Sequence, residues 1–182
     1  MQNVINHNIV VKLTMAITIR PEQAADINTI TRLTEAAFQP EPYASHTEHL
    51  IVNALRRSNQ LTVSLVAVEG DTIMGHVAIS PVTISSGATG WYGLGPISVW
   101  PERQHQGIGS KLMAAALAAL QHQGGLGCVL LGSPAYYGRF GFRAQPGLLL
   151  PDTPPEFFQA IAFGGELPVG NVRFHEAFDV TE

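Results

Sequence analysis

The chain has 182 residues, is 46% hydrophobic and 13% charged, and carries a formal net charge of -4. That composition is globular rather than disordered, its length suits one domain with its own core, and its acidic balance gives no electrostatic case for nucleic acid or an anionic membrane as a partner. No apolar run reaches the ~18–20 residues of a membrane span; the single cysteine, Cys128, excludes an internal disulfide framework and fits a reducing compartment, so a cytoplasmic location is expected.

The first residues lack a charged segment followed by a long apolar core, so no secretion signal is expected. Met15 reads as a domain start, which makes residues 1–14 a tail or extension and 15–182 a single domain. "AITIR" reads as a short strand. The helix after Arg20-Pro21 carries Ile27, Ile30, Leu33 and Ala37 at roughly helical spacing, and Pro40 and Pro42 end it. In "SHTEHLIVNALRRSN", Ser45 and Glu48 have capping-box spacing, Leu50, Ile51, Ala54 and Leu55 give an apolar face, and Arg56 and Arg57 suit the last turn.

The middle of the chain is rich in β-branched residues. "LTVSLVAVE" and "TIMGHVAISPVTI" are joined by Gly70-Asp71, and "WYGLGPISV" follows the turn "SSGATG", so an antiparallel meander is expected. A helix "SKLMAAALAALQHQ", a buried strand "CVLLG", a short helix within "SPAYYGRFGF" leading into a further strand, and two short strands in the tail complete the reading. The fold class is α/β in the broad sense, an α+β mixed sheet within one domain.

Gly107 and Gly109 fall where a strand gives way to an alanine-rich helix, although glycine is a poor helix former. Such a turn leaves backbone N–H groups unpaired at a helix N-terminus and lets a ligand approach the backbone closely, which suits a phosphate; a tight turn or close helix–sheet packing accounts for two glycines equally well. The Walker pattern is excluded because Gly109 is followed by Ser110-Lys111. The dinucleotide fingerprint is excluded because its third glycine position is Leu112.

"QHQGIG" resembles the Gln/Arg-x-x-Gly-x-Gly/Ala signature of the GNAT N-acetyltransferases. "GPISV" before it and "AYYGRFGF" after it stand in the family's order, over about residues 17–142. Within the family, "LGPISV", "YYGRFGF" and "VRFHEAF" resemble the YhbS-like group. The resemblance implies a mostly antiparallel sheet with a splayed parallel pair and flanking helices, and transfer of the acetyl group of acetyl-CoA to a primary amine by direct attack on the thioester. It implies a pyrophosphate held on the backbone of Gln104, His105, Gln106, Gly107, Ile108 and Gly109, with Ser110 adjacent. It also implies a pantetheine arm along Ile97, Ser98 and Val99, above all Ile97 and Val99, and Tyr137 as the acid that protonates the leaving thiolate. Tyr136 is its neighbour and competitor, at a position where the family's aromatic usually packs. Pro96, with no N–H to give, and Gly95 suit the bulge that splays the strand.

One departure bears on mechanism. Many family members carry a glutamate base on the strand before the loop, and "WYGLGPISV" has no carboxylate. Glu48, His46 and His76 are not placed by their positions to replace it, so no base is assigned. An acyl-CoA-binding or sensing module is therefore the alternative to an enzyme. No metal is expected: His46 and His49 lie three apart on the expected helix but lack an evident third ligand. Cys128 reads as a buried structural thiol. Trp91, Tyr92 and Trp100 read as core packing, and Asp152, Glu156 and Glu166 as solvated loop charge. The expected partner is an amine-bearing small molecule or peptide; a homodimer is compatible with the sequence but not written in it.

Overall fold

The computed structural model describes residues 16–42 and 44–181. The expected extension, residues 1–14, lies outside them. The chain forms β1 (Ile17–Pro21), α1 (Ile27–Phe38), α2 (Glu48–Arg57), β2 (Val63–Glu69), β3 (Thr72–Pro81), β4 (Thr83–Ile84), β5 (Trp91–Val99), α3 (Ile108–His122), β6 (Gly127–Leu131), α4 (Pro134–Tyr137), β7 (Leu148–Leu149), β8 (Phe158–Ala162) and β9 (Gly170–Arg173), with one-turn helices between several of them. Six strands make one sheet in the order β1-β2-β3-β5-β6-β8. Its neighbours are antiparallel except β5 and β6, which run parallel.

The meander β2-β3-β5 follows the β-branched pattern of the sequence. The run "TIMGHVAISPVTI" is nevertheless two strands in two sheets. β3 ends at Pro81, which has no N–H to extend the ladder, and β4 pairs instead with β9 in a small sheet of order β4-β9-β7. The tail thus contributes three short strands rather than two. The strand expected after "YYGRFGF" is reduced to a bridge between Arg143 and Ala160.

α3 lies on one face of the large sheet. Ile108, Leu112, Met113, Ala116 and Leu120 form its buried side, packed with Leu65, Val77, Ile79 and Leu94. Burial of each such Leu or Ile side chain stabilises by roughly 1.5–3 kcal/mol. α1 covers the other face with Ile30, Leu33, Thr34 and Ala37, and α2 adds Val52 beside Ile30 and Leu33. Ser45 serves α2 in part: its N–H and hydroxyl donate to Glu48 Oε1 at 2.8 and 3.0 Å, while the helix begins at Glu48 behind Thr47. His46 precedes the helix at φ +62°, so it does not share a helical face with His49.

A buried polar network ties β1, α2, β2 and β3 together. The Glu22 carboxylate accepts from Arg56 Nε and Nη2 at 2.7 and 2.9 Å and from the Ser64 hydroxyl. The wholly buried His76 ring contacts Ser64 Oγ through Nε2 at 2.8 Å. Burial opposes the Glu22 charge, but the bonds from Arg56 and Ser64, with His76 Nε2 3.6 Å away, outweigh it and hold the carboxyl well below the usual range. Burial holds the His76 ring below its ordinary value, against the pull of Glu22 and Asp26 and with a small push from Arg56. The hydrogen bond from Arg20 lowers Asp26 in the same way.

In all three groups the folded state binds protons less readily than the unfolded chain. Their contribution to stability is therefore present above the unfolded pKa values and lost as pH falls. The loss is expected to begin below about pH 6.5 with His76 and to steepen below about pH 4.5 with Glu22 and Asp26. Thermal unfolding followed from pH 7.5 to 4 checks this: the melting temperature declines in those two stages, and His76→Gln flattens the upper one.

Candidate active site

The strand β5 does two things at once. Trp91, Tyr92 and Gly93 pair with Gly127, Cys128 and Val129 of β6, and the parallel ladder stops there. On the other side, the register against β3 slips by one residue between Leu94 and Ile97, at Gly95-Pro96, where the peptide bond is cis. The bulge expected from those residues is present, and beyond it β5 diverges from β6. The N–H of Trp100 bonds to Met74 O, toward β3. By the alternation of an antiparallel strand, Ser98 also turns its backbone toward β3, and Ile97 and Val99 turn theirs into the split. Ser98 is buried and its hydroxyl meets Thr34 Oγ1 at 3.2 Å under α1, so neither its backbone nor its side chain faces the split.

The loop after β5 ends the split. Gln104 sends its side-chain Nε2 to Val99 O at 3.3 Å. His105 adopts φ +60° and Gly107 φ +81°, and His105, Gln106 and Gly107 are exposed. Ile108 is buried and anchors the first turn of α3, which starts two residues before the expected Ser110. No side chain caps this helix, and its first backbone bond is Lys111 N–H to Gly107 O at 3.1 Å. The N–H groups of Ile108, Gly109 and Ser110 precede that bond and find no acceptor among the described residues. A Cβ on Gly107 would have nothing within 4 Å. The turn is therefore open at Gly107, and its unpaired backbone donors have the chemistry of an anion site.

Tyr137 closes α4, just beyond β6. Its ring lies over Gly132, where a Cβ would stand 2.3 Å from Cε2, and meets Phe142 edge-on at 6.4 Å between centroids. Burial, with a smaller push from Tyr136, raises its phenol to about 12. The proton is firmly held at neutral pH, and the group is a hydrogen-bond donor.

A splayed parallel pair, an uncapped glycine loop at the head of α3 and a half-buried tyrosine after the next strand make one arrangement. The sequence pattern of the acetyltransferase (GNAT) domain family matches residues 18–144. The chain belongs to the GNAT acetyltransferase family. It is 34% identical over 126 residues to the Escherichia coli K12 protein described as the uncharacterized N-acetyltransferase YhbS, covering 69% of this chain and 72% of that one. It shares 48% identity and a TM-score of 0.81 with the crystal structure of a GNAT family acetyltransferase from Brucella melitensis in complex with acetyl-CoA, over 90% of this chain and 99% of the other. The structure of Escherichia coli YhbS in complex with CoA gives 30% identity and a TM-score of 0.82, over 92% and 94%.

The remaining polar candidates of this GNAT chain are scattered. Among the described residues no group of three His, Cys, Asp or Glu side chains is placed to hold a metal ion, and no helix is long and apolar enough to cross a membrane. Cys128 is buried on β6, and burial pushes its thiol far up. Trp91 is buried in the small-sheet cluster. Trp100 packs beside Ile73 and donates Nε1–H to its carbonyl at 2.9 Å. Glu156 lines an open cleft of about 400 Å³ with Arg143 and Gln159 beside α4. Two features of this GNAT site were not foreseen from the sequence. The first is the Gln104 side chain pinning the end of β5. The second is the Tyr136 hydroxyl, which stands 3.0 Å from where a Cβ on Gly109 would be.

Proposed function

We propose that this chain binds acetyl-CoA across the split and transfers its acetyl group to a primary amine, with the loop Gln104–Ser110 as the pyrophosphate cradle and Tyr137 as the acid. The observation that carries the reading is the uncapped first turn of α3, open to solvent at Gly107 and set beside the diverging strand. The complexes of the Brucella and E. coli relatives with acetyl-CoA and CoA support the choice of ligand.

Bound acetyl-CoA supplies an activated thioester carbonyl and a thiolate leaving group. The amides of Ile108, Gly109 and Ser110 and the helix dipole hold the diphosphate. The outward N–H groups of Ile97 and Val99 align the pantetheine amides, and the N–H near Ile97 is placed to donate to the developing oxyanion. The amine nitrogen adds to the carbonyl carbon and the tetrahedral oxyanion collapses with cleavage of the C–S bond; the proton of the amine passes to water, and Tyr137 delivers one, or a hydrogen bond, to the sulfur and is reprotonated from solvent. An alkyl amine of pKa about 10.4 must attack in its neutral form. β5 offers no carboxylate for this step, which is the one feature that favours a binding or sensing module over an enzyme. The retained Tyr137 favours the enzyme.

Calorimetric titration with acetyl-CoA, against dephospho-CoA and adenosine nucleotides as controls, tests the cradle. Saturable acetyl-CoA binding is expected, and its absence sinks the reading. A screen of amines scored by free-thiol release then separates enzyme from sensor: thiol release that depends on an added amine identifies the enzyme.

A further inference from the structure

The loop offers backbone donors to a diphosphate, and the cations around it differ in how far they are already engaged by the protein. Arg103, just before it, is tied back to the protein: its Nη1 donates to Glu69 at 2.9 Å and its Nε to Gln106 Oε1 at 3.3 Å. Gln106 in turn sends its Nε2 to Glu102 O. Lys111 in the first turn of α3 is exposed and can add charge from the helix itself, and α4 with the turn after it brings a second cation, Arg139, from another element.

Tyr136 lies half-buried with its phenol oxygen over the first turn of α3, 3.0 Å from the Cβ position of Gly109. The phenol makes no hydrogen bond to protein among the described residues. The ring is held on three sides: edge-on to Tyr137 at 4.9 Å, tilted against Phe140 at 5.7 Å, and under the Arg139 guanidinium, whose Cζ is 4.4 Å from its centroid. Arg139 Nε donates to the Tyr136 carbonyl at 2.9 Å, which fixes the guanidinium plane on the ring and leaves both Nη groups without a protein acceptor among the described residues. A stacked, tethered guanidinium with two free donors is a pre-organised phosphate fork. Glycine at 109 is matched to this arm, because any side chain there would press on the phenol oxygen.

We propose that Tyr136 and Arg139 form a side-chain arm that closes over the loop and holds the diphosphate of an acyl-CoA against the first turn of α3. The proposal rests on the acetyl-CoA reading above and adds to it the residues that supply a charge and a side-chain hydroxyl. Packing alone would make Tyr136 interchangeable with phenylalanine, and that difference can be measured without knowing the acceptor.

The experiment titrates acetyl-CoA, and separately S-acetylpantetheine, into the wild-type chain, Tyr136→Phe and Arg139→Gln. S-acetylpantetheine keeps the thioester arm and lacks the diphosphate and nucleotide. Tyr136→Phe is expected to weaken acetyl-CoA about fivefold and Arg139→Gln about tenfold, the scale of one neutral and one charge-assisted hydrogen bond. Both variants should bind S-acetylpantetheine as the wild type does. The Arg139→Gln complex should also lose part of its salt dependence. Wild-type acetyl-CoA affinity in both variants, tighter binding by Tyr136→Phe, or equal losses for the two ligands overturns the arm. If the wild-type chain itself binds acetyl-CoA no better than S-acetylpantetheine, the loop reading fails and the arm with it. If the wild type discriminates and the variants do not differ from it, the arm alone fails. Melting temperatures of the three proteins show that the variants are folded.

Discussion

Tyr137→Phe is expected to slow acetyl transfer by about a hundredfold or more while leaving acetyl-CoA affinity within about twofold; the size is that of a positioned general acid. The substitution removes one oxygen and keeps the ring, so the contacts with Gly132, Phe142 and Tyr136 survive and the fold has no reason to change. The phenol is raised to about 12 by burial, with a smaller contribution from Tyr136. It is therefore protonated throughout the working range, and any alkaline limb of the rate profile belongs to another group. The measurement pairs calorimetry with thiol release on an amine found in the screen. Unchanged turnover would remove Tyr137 from the chemistry and leave Tyr136, one residue earlier and nearer the loop, as the group to test.

Gly107 is expected to respond differently, in affinity rather than in rate. It holds φ +81°, which an L-residue adopts at a penalty of about 1–2 kcal/mol, so alanine and leucine there should lower the melting temperature by similar amounts. Packing does not oppose either one, because the space around a Cβ is empty to 4 Å. That space is where the reading puts the pyrophosphate. Gly107→Leu should therefore weaken acetyl-CoA by at least about tenfold, equivalent to about 1.4 kcal/mol, and Gly107→Ala distinctly less. Equal affinity for alanine and leucine would mean that the side chain meets no ligand, and that the left-handed turn serves only to start α3.

How much of this was legible in the sequence depends on the range of the interactions involved. The glycine loop and α3 were readable because backbone conformation and apolar spacing are local; Gly95-Pro96 was readable as a bulge because proline cannot serve a ladder. The start of α3 moved to Ile108 because that side chain is drawn into the core, a tertiary effect the alanine-rich run does not encode. β4, β7 and β9 were missed or misplaced because strands of two to four residues carry no period; Thr83 finds Arg173 only through the folded chain. His46 escaped its expected helix through a positive φ that no neighbour announces. The aim of the Tyr136 hydroxyl is likewise set by how α4 docks beside α3. In "AYYGRF" the arginine three residues after Tyr136 was the available signal, since that spacing brings the two side chains together across one helical turn.

The three-pair junction between β5 and β6 gives the molecule a mechanical seam. β1, β2, β3 and β5 form one leaf, and α3 rides on it through β2, β3 and β5. β6 and β8 form the other, and α4 follows β6 directly. The loop thus travels with the first leaf and both tyrosines with the second. In the proposed reading a molecule gripped by the loop and reached by Tyr137 spans the two, and the angle at the seam would set how close the phenol comes to the sulfur. Trp91 and Gly127, which form one rung of that seam and pack so closely that a Cβ on Gly127 would stand 2.4 Å from the indole, are where a substitution would be expected to change that angle without touching the ligand.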